Sequence, residues 1–146
     1  MAGGVQIRPP LPSDAAALAE LAAELGYATS AEALLGRLAT LHPTDAAVLV
    51  ATDAEDMPIG WCHVEMRRTL IEPLSAMIVG LVIGEGHRSA GIGAELLMAA
   101  DGWARTRGCR RLVVATRITR ERAHRFYARE GFAVDKTSYF LSKSLD

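Results

Sequence analysis

The spacing of hydrophobic positions along this chain of 146 residues changes period several times, and each change marks an element. Residues 5–8 read as a short strand, broken by Pro9, Pro10 and Pro12. Ser13 is the predicted N-cap of a helix whose Leu18, Leu21, Ala22 and Leu25 fall on one face before Gly26 stops it. Thr29 with Glu32 reads as a capping box for a second helix, which runs through Leu34, Leu35, Leu38 and Leu41 to Pro43. Period two then takes over. Residues 47–51 form a strand, residues 53–58 a turn, and residues 59–67 the next strand. In that strand Trp61, His63 and Glu65 share one face, and Cys62, Val64 and Met66 the other.

After a loop around Glu72 and Pro73, residues 76–83 are almost continuously apolar, as a central strand requires. A helix opens at Ile92 with an apolar stripe of Ile92, Leu96, Leu97, Ala100, Trp103 and Ala104; Glu95, Asp101 and Arg105 lie off it. Arg107 and Gly108 end it. Residues 111–116 read as a strand, and Thr119 or Arg120 opens a last helix carrying Ala123, Phe126 and Tyr127. Gly131 is its cap, and residues 132–134 and 139–141 read as closing strands. The order β-α-α-β-β-β-α-β-α-β-β, without repeats, predicts the α/β class. The length suits a single domain over 1–146, with residues 1–4 a flexible N-terminus.

A net charge of −1 gives no electrostatic reason to expect nucleic acid or anionic lipid as a partner. Cys62 and Cys109 are solitary, which suits a reducing cytosol and offers no metal site. No apolar run approaches a membrane span, and residues 1–5 carry no signal-peptide pattern, so the expectation is a soluble cytoplasmic protein. The closing strands would leave an open sheet edge, and pairing of that edge with a second copy predicts a homodimer.

The chemistry concentrates between Leu81 and Leu97, L-V-I-G-E-G-H-R-S-A-G-I-G-A-E-L-L. Here an apolar strand ends in a glycine-punctuated turn beside Arg88, and a helix starts at once. Gly91 and Gly93 accept backbone angles forbidden to other residues, so several N–H groups can converge where the helix dipole is positive. This is a phosphate cradle. Gly86 and Gly91 have the separation of a Walker A loop, but Ile92 and Gly93 replace its Lys and Ser or Thr. Gly84 and Gly86 begin a dinucleotide fingerprint, but Ser89 stands where its third glycine belongs. The remaining pattern, R-x-x-G-x-G between strand and helix, resembles the pyrophosphate loop of the GNAT acetyltransferase superfamily. A second segment, A-H-R-F-Y-A-R-E-G-F from Ala123 to Phe132, resembles the closing helix of the same family, and the two patterns together span nearly the whole chain.

The resemblance implies a mixed sheet splayed around the pantetheine arm of acetyl-coenzyme A. The arm would pair with the backbone of Leu81, Val82 and Ile83, and Arg88, Ser89, Ala90, Gly91, Ile92 and Gly93 would hold the diphosphate. Arg120 stands where many relatives have an asparagine that contacts the cofactor. An amine would attack the thioester directly. Tyr127, a proton donor at neutral pH with a pKa near 10, would hydrogen-bond or protonate the departing sulfur. Relatives often carry a glutamate on the strand before the cradle; here that place, Met77 or Val79, is apolar. Glu65 is then the candidate base, with Glu72 a weaker substitute. Tyr27, Trp61, His63 and Glu72 are candidates for the acceptor wall, and the acidic groups suit a small cationic amine. Two readings stand beside this one: a protein N-terminal or lysine acetyltransferase, and a non-catalytic acyl-coenzyme A sensor that keeps the cradle without turnover. No metal is implied.

Overall fold

A computed structural model describes residues 4–146, which divide between Ala115 and Thr116 into two compact units. Of the predicted flexible terminus, residues 1–3 lie outside the described residues. The first unit holds a five-stranded sheet in the order β1-β2-β3-β4-β5, formed by Gln6–Arg8, Ala46–Thr52, Pro58–Arg67, Ser75–Ile83 and Arg111–Val114. Strands β1 to β4 are antiparallel, with short connections only between β2 and β3 and between β3 and β4, and β5 runs parallel to β4. The parallel pair needs a long crossover, supplied by the helix Ile92–Thr106, called α3. Helix α1, Ala15–Leu25, packs against β3 and β4, and α2, Ala31–Thr40, packs against α1.

The apolar stripes become the core. Leu18 and Leu21 of α1, Val50 of β2, Cys62 and Val64 of β3, Ile78 and Val82 of β4, and Ile92, Leu96 and Leu97 of α3 are all buried. The alternation on β3 holds, with Cys62 and Val64 sealed and Trp61, His63 and Glu65 half-buried. Burial pushes the Cys62 thiol up to about 12, so this side chain behaves as an unreactive small hydrophobe.

Both predicted helix starts shift. Ser13 caps nothing, because Pro12–Asp14 forms a single 3-10 turn and α1 begins after Asp14. The Asp14 carboxylate accepts the Leu11 N–H at 2.7 Å and is clasped by Arg8, whose Nη1 and Nη2 stand 2.8 and 3.0 Å away. In α2 the cap is Ser30, whose hydroxyl accepts the Ala33 N–H at 3.0 Å, while Thr29 Oγ1 accepts from Arg37 instead.

Strand β4 departs from a regular central strand in two ways. Its pairing with β3 steps from His63↔Gly80 to Val64↔Ile78, which leaves Val79 as a one-residue bulge, 43% exposed. Its pairing with β5 ends at Ile78↔Val114, so residues 79–83 continue past β5 with no strand on that side among the described residues. Beyond Ile78, β4 therefore runs on toward the cradle past the end of β5.

The second unit contains one helix, α4, Glu121–Arg129. It ends in a Schellman turn: Gly131, at φ +95°, donates to Ala128 O at 3.2 Å, and Phe132 N–H donates to Tyr127 O at 2.9 Å. Residues 132–134 and 139–141 do not form the predicted closing strands. They carry no ladder, and Val134, Tyr139, Phe140 and Leu141 are exposed. Strand propensity without a pairing partner does not make a strand. The edge from which a homodimer was predicted is thus not built by these residues.

Candidate functional site

The cradle is a stiffly held turn. Gly84 N–H donates to Ile59 O at 2.8 Å, and His87 N–H closes a 3-10 turn, Glu85–His87, onto Gly84 O at 2.8 Å. Gly84 packs closely, since a methyl group there would stand 3.2 Å from Ile59 O and 3.3 Å from Leu21 Cδ2. The chain then turns through two left-handed residues, Ser89 at φ +68° and Gly91 at φ +81°. Gly91 is the N-cap of α3, and the first helical bond runs from Glu95 N–H to Gly91 O at 3.1 Å. The N–H groups of Ile92, Gly93 and Ala94 therefore have no acceptor within the helix. Its chain neighbours and own helix apart, no heavy atom lies within 4 Å of the place a Gly91 side chain would occupy, so the space beside this residue is open. Arg88 stands beside it, with Nε donating to Ile83 O at 3.2 Å. Left-handed turn residues, unpaired first-turn amides, open space and a guanidinium fit a diphosphate.

Leu81, Val82 and Ile83 lie on the end of β4 that runs past β5 and lead straight into this turn, so the predicted arm and diphosphate positions form one continuous path. On β3, Trp61 is pinned by its Nε1–H, which donates to Leu18 O of α1 at 3.2 Å. This sets the Trp61, His63 and Glu65 face toward α1. The indole lies against Gly80 across the sheet, where a methyl group would meet Trp61 Cζ3 at 2.7 Å. A glycine inside an apolar strand is a legible sign of such an approach, and sequence reasoning passed over it.

His63 pairs with Gly80 across the strands, and its Nε2 is buried with no hydrogen-bond partner among the described residues. Burial holds the imidazole below its usual range, against an upward pull from Glu65. Burial thus favours the uncharged form of the ring. Glu65 stands directly opposite Met77. The apolar position on β4 therefore has a carboxylate beside it on the neighbouring strand.

Other predicted residues are more scattered. Glu72 precedes β4 at the end away from the cradle and pairs with Arg111 at 3.5 Å. Tyr27 follows the left-handed Gly26 that ends α1, and is 58% exposed. Tyr127 and Arg120 belong to the second unit. There Tyr127 sits on α4 in edge-to-face contact with Phe126 and Phe132, at centroid distances of 5.1 and 5.4 Å. Arg120 is the N-cap of the same helix. His124 meets the Arg117 carbonyl through Nε2 at 2.8 Å. Among the described residues no cluster of His, Cys, Asp or Glu could hold a metal ion, and no helix is long and apolar enough to cross a membrane.

Comparison with known proteins agrees with this geometry. The model of the acetyltransferase (GNAT) family matches residues 15–132. An aminoglycoside N(6')-acetyltransferase type 1 from Stenotrophomonas maltophilia is 30% identical over 146 aligned residues, covering 96% of this chain and 94% of its own. A second such enzyme, from Klebsiella aerogenes, is 30% identical over 105 residues, 70% of this chain and 66% of its own. Among solved structures, an aminoglycoside antibiotic 6'-N-acetyltransferase from Acinetobacter baumannii superposes with a TM-score of 0.83 over 98% of this chain and all of that one, at 16% identity. That last likeness speaks to the fold alone.

Proposed function

Because the chain belongs to the GNAT acetyltransferase family, we propose that its acetyl-coenzyme A-dependent N-acetyl transfer is directed at the 6'-amine of an aminoglycoside. The observation that carries this is the near full-length likeness to the Stenotrophomonas maltophilia enzyme. An acceptor rich in ammonium groups is also what half-buried Glu65 on β3 would attract. The family match runs through both units, which supports treating them as one functional domain.

The co-substrate supplies an acetyl group activated as a thioester. Residues 88–93 and the first-turn amides of α3 bind its diphosphate, and the backbone of residues 81–83 aligns its arm. An ammonium with a pKa near 10.4 is unreactive, so the acceptor must first give up a proton. Glu65 takes that proton, with His63 beside it on the same face of β3. The amine nitrogen then bonds to the acetyl carbon as the carbon–sulfur bond breaks, and the acylated nitrogen releases its second proton to solvent. Tyr127 donates its phenolic proton to the leaving sulfur and regains one from solvent. Trp61 forms the apolar wall of the acceptor face. Arg120 adds positive charge for the coenzyme.

The test is thiol release from acetyl-coenzyme A with an amine panel: aminoglycosides, a polyamine and a peptide with a free N-terminus and a lysine. The product is identified by a mass gain of one acetyl group. Turnover confined to aminoglycosides supports the proposal. Turnover confined to the peptide overturns the acceptor, and coenzyme binding without transfer to any amine indicates a sensor.

A further inference from the structure

Helix α1 touches the cradle as well as the acceptor face, and it does so with one side. The Leu18 carbonyl holds Trp61, the Leu21 methyl abuts Gly84, and three residues further on Glu24 reaches the cradle itself. Glu24 Oε1 accepts the Glu85 N–H at 2.9 Å, a contact spanning 61 residues of sequence, and the same oxygen lies 3.6 Å from Arg88 Nη2. We propose that Glu24 is a positioning residue for the coenzyme: its carboxylate fastens the Glu85–His87 turn to α1 and aims Arg88 at the diphosphate. This rests on reading residues 88–93 as the diphosphate site.

Three physical points carry it. A carboxylate accepting a backbone N–H makes a charge-assisted bond, stronger than the neutral bonds that otherwise hold this turn. A guanidinium has five N–H donors in a fixed fork. Two of its nitrogens face Ile83 O and Glu24, which fixes the plane and leaves donors to spare for phosphate oxygens. An exposed arginine without such holds loses rotamer freedom when its ligand binds, and a pre-set one loses less. Glu24 adds negative charge near an anionic ligand, but Arg88 lies against that charge and offsets it. The helix does not need Glu24 for its own sake, since the side chain is exposed and alanine is at least as good a helix former.

The experiment measures calorimetric binding of coenzyme A, with KM for acetyl-coenzyme A and kcat, in Glu24→Ala, Glu24→Gln and Gly91→Val. Glu24→Ala is expected to bind coenzyme A about tenfold more weakly, as loss of a charge-assisted bond implies. Its KM should rise in step, while kcat stays within about twofold. Glu24→Gln keeps an oxygen for the Glu85 N–H but loses the charge that assists this bond and aims Arg88, so it should recover only part of the affinity. Parental affinity in Glu24→Ala, or equal losses in both Glu24 variants, overturns the proposal while Gly91→Val still fails to bind. Normal binding by Gly91→Val strikes the cradle reading itself and takes the proposal with it.

Discussion

The indole of Trp61 lies so close to Gly80 that a methyl group on the glycine would come within 2.7 Å of Cζ3 and 2.9 Å of Cη2. The ring cannot retreat freely, because its Nε1–H is spent on the Leu18 carbonyl. Gly80→Ala should therefore destabilise the protein by about 1–3 kcal/mol, the usual cost of forcing atoms into filled space. The acceptor KM should rise as the ring is displaced. Chemical denaturation of Gly80→Ala, Trp61→Leu and the double variant checks this. A smaller ring-site residue should relieve most of the alanine penalty, and additive losses would contradict the account.

Gly91→Val should abolish coenzyme A binding. Its backbone sits at φ +81°, where a side chain costs about 1–2 kcal/mol, and a β-branched one fits worst. The added carbons would also fill open space beside the first turn of α3. Calorimetry on folded protein is the measurement, and unchanged affinity would refute the cradle.

Tyr127→Phe removes one hydroxyl and should leave the edge-to-face contacts with Phe126 and Phe132 intact. General acid catalysis contributes about 10²–10⁴-fold, so kcat should fall by that order with coenzyme affinity nearly unchanged. Turnover within a few-fold of the parent would remove Tyr127 from the chemical step. A loss confined to coenzyme affinity would move it to the binding wall.

Asp14→Asn should cost about 2 kcal/mol at neutral pH. This is less than the roughly 3–5 of a fully buried pair, because Arg8 is partly solvated and keeps Asp56 at 2.9 Å. Arg8 holds the Asp14 carboxyl below its usual range, aided by the Leu11 N–H and opposed by burial. A depressed folded pKa means stability that is complete above the unfolded value, about 3.9, and lost as pH falls through the lower folded one. Parent and variant should thus differ by a constant amount from neutral pH down to about 5 and converge in stronger acid. A difference that persists undiminished in strong acid would contradict the pairing.

Local physics made most of the first unit legible. The start of α3 at Ile92 follows from glycines that allow a left-handed N-cap and from an apolar stripe that its core then buries. Alternation on β3 likewise survives folding, because one face is sealed. The failures are non-local. Ser13 is a good cap by composition, but Asp14 is claimed by Arg8 and Leu11, and that grip moves the helix start. Residues 132–134 and 139–141 have strand-forming side chains, but a strand also needs a partner, which no local pattern specifies. Glu24 left no mark in the sequence, since its function depends on a turn 61 residues away. Glu65 was legible as a polar residue on a strand face, but its position opposite Met77 required the register.

The central claim is transfer of acetyl to the 6'-amine of an aminoglycoside, and a matched pair of acceptors tests it most directly. One member carries a 6'-amine and the other a 6'-hydroxyl, with every other amine in common. Thiol release from acetyl-coenzyme A is followed with each. The account predicts turnover with the 6'-amine and a loss of about 10³-fold or more with the hydroxyl, since a neutral alcohol is a far weaker nucleophile and offers Glu65 no ammonium proton. Equal rates with both members would mean that another amine is acetylated, and would contradict it.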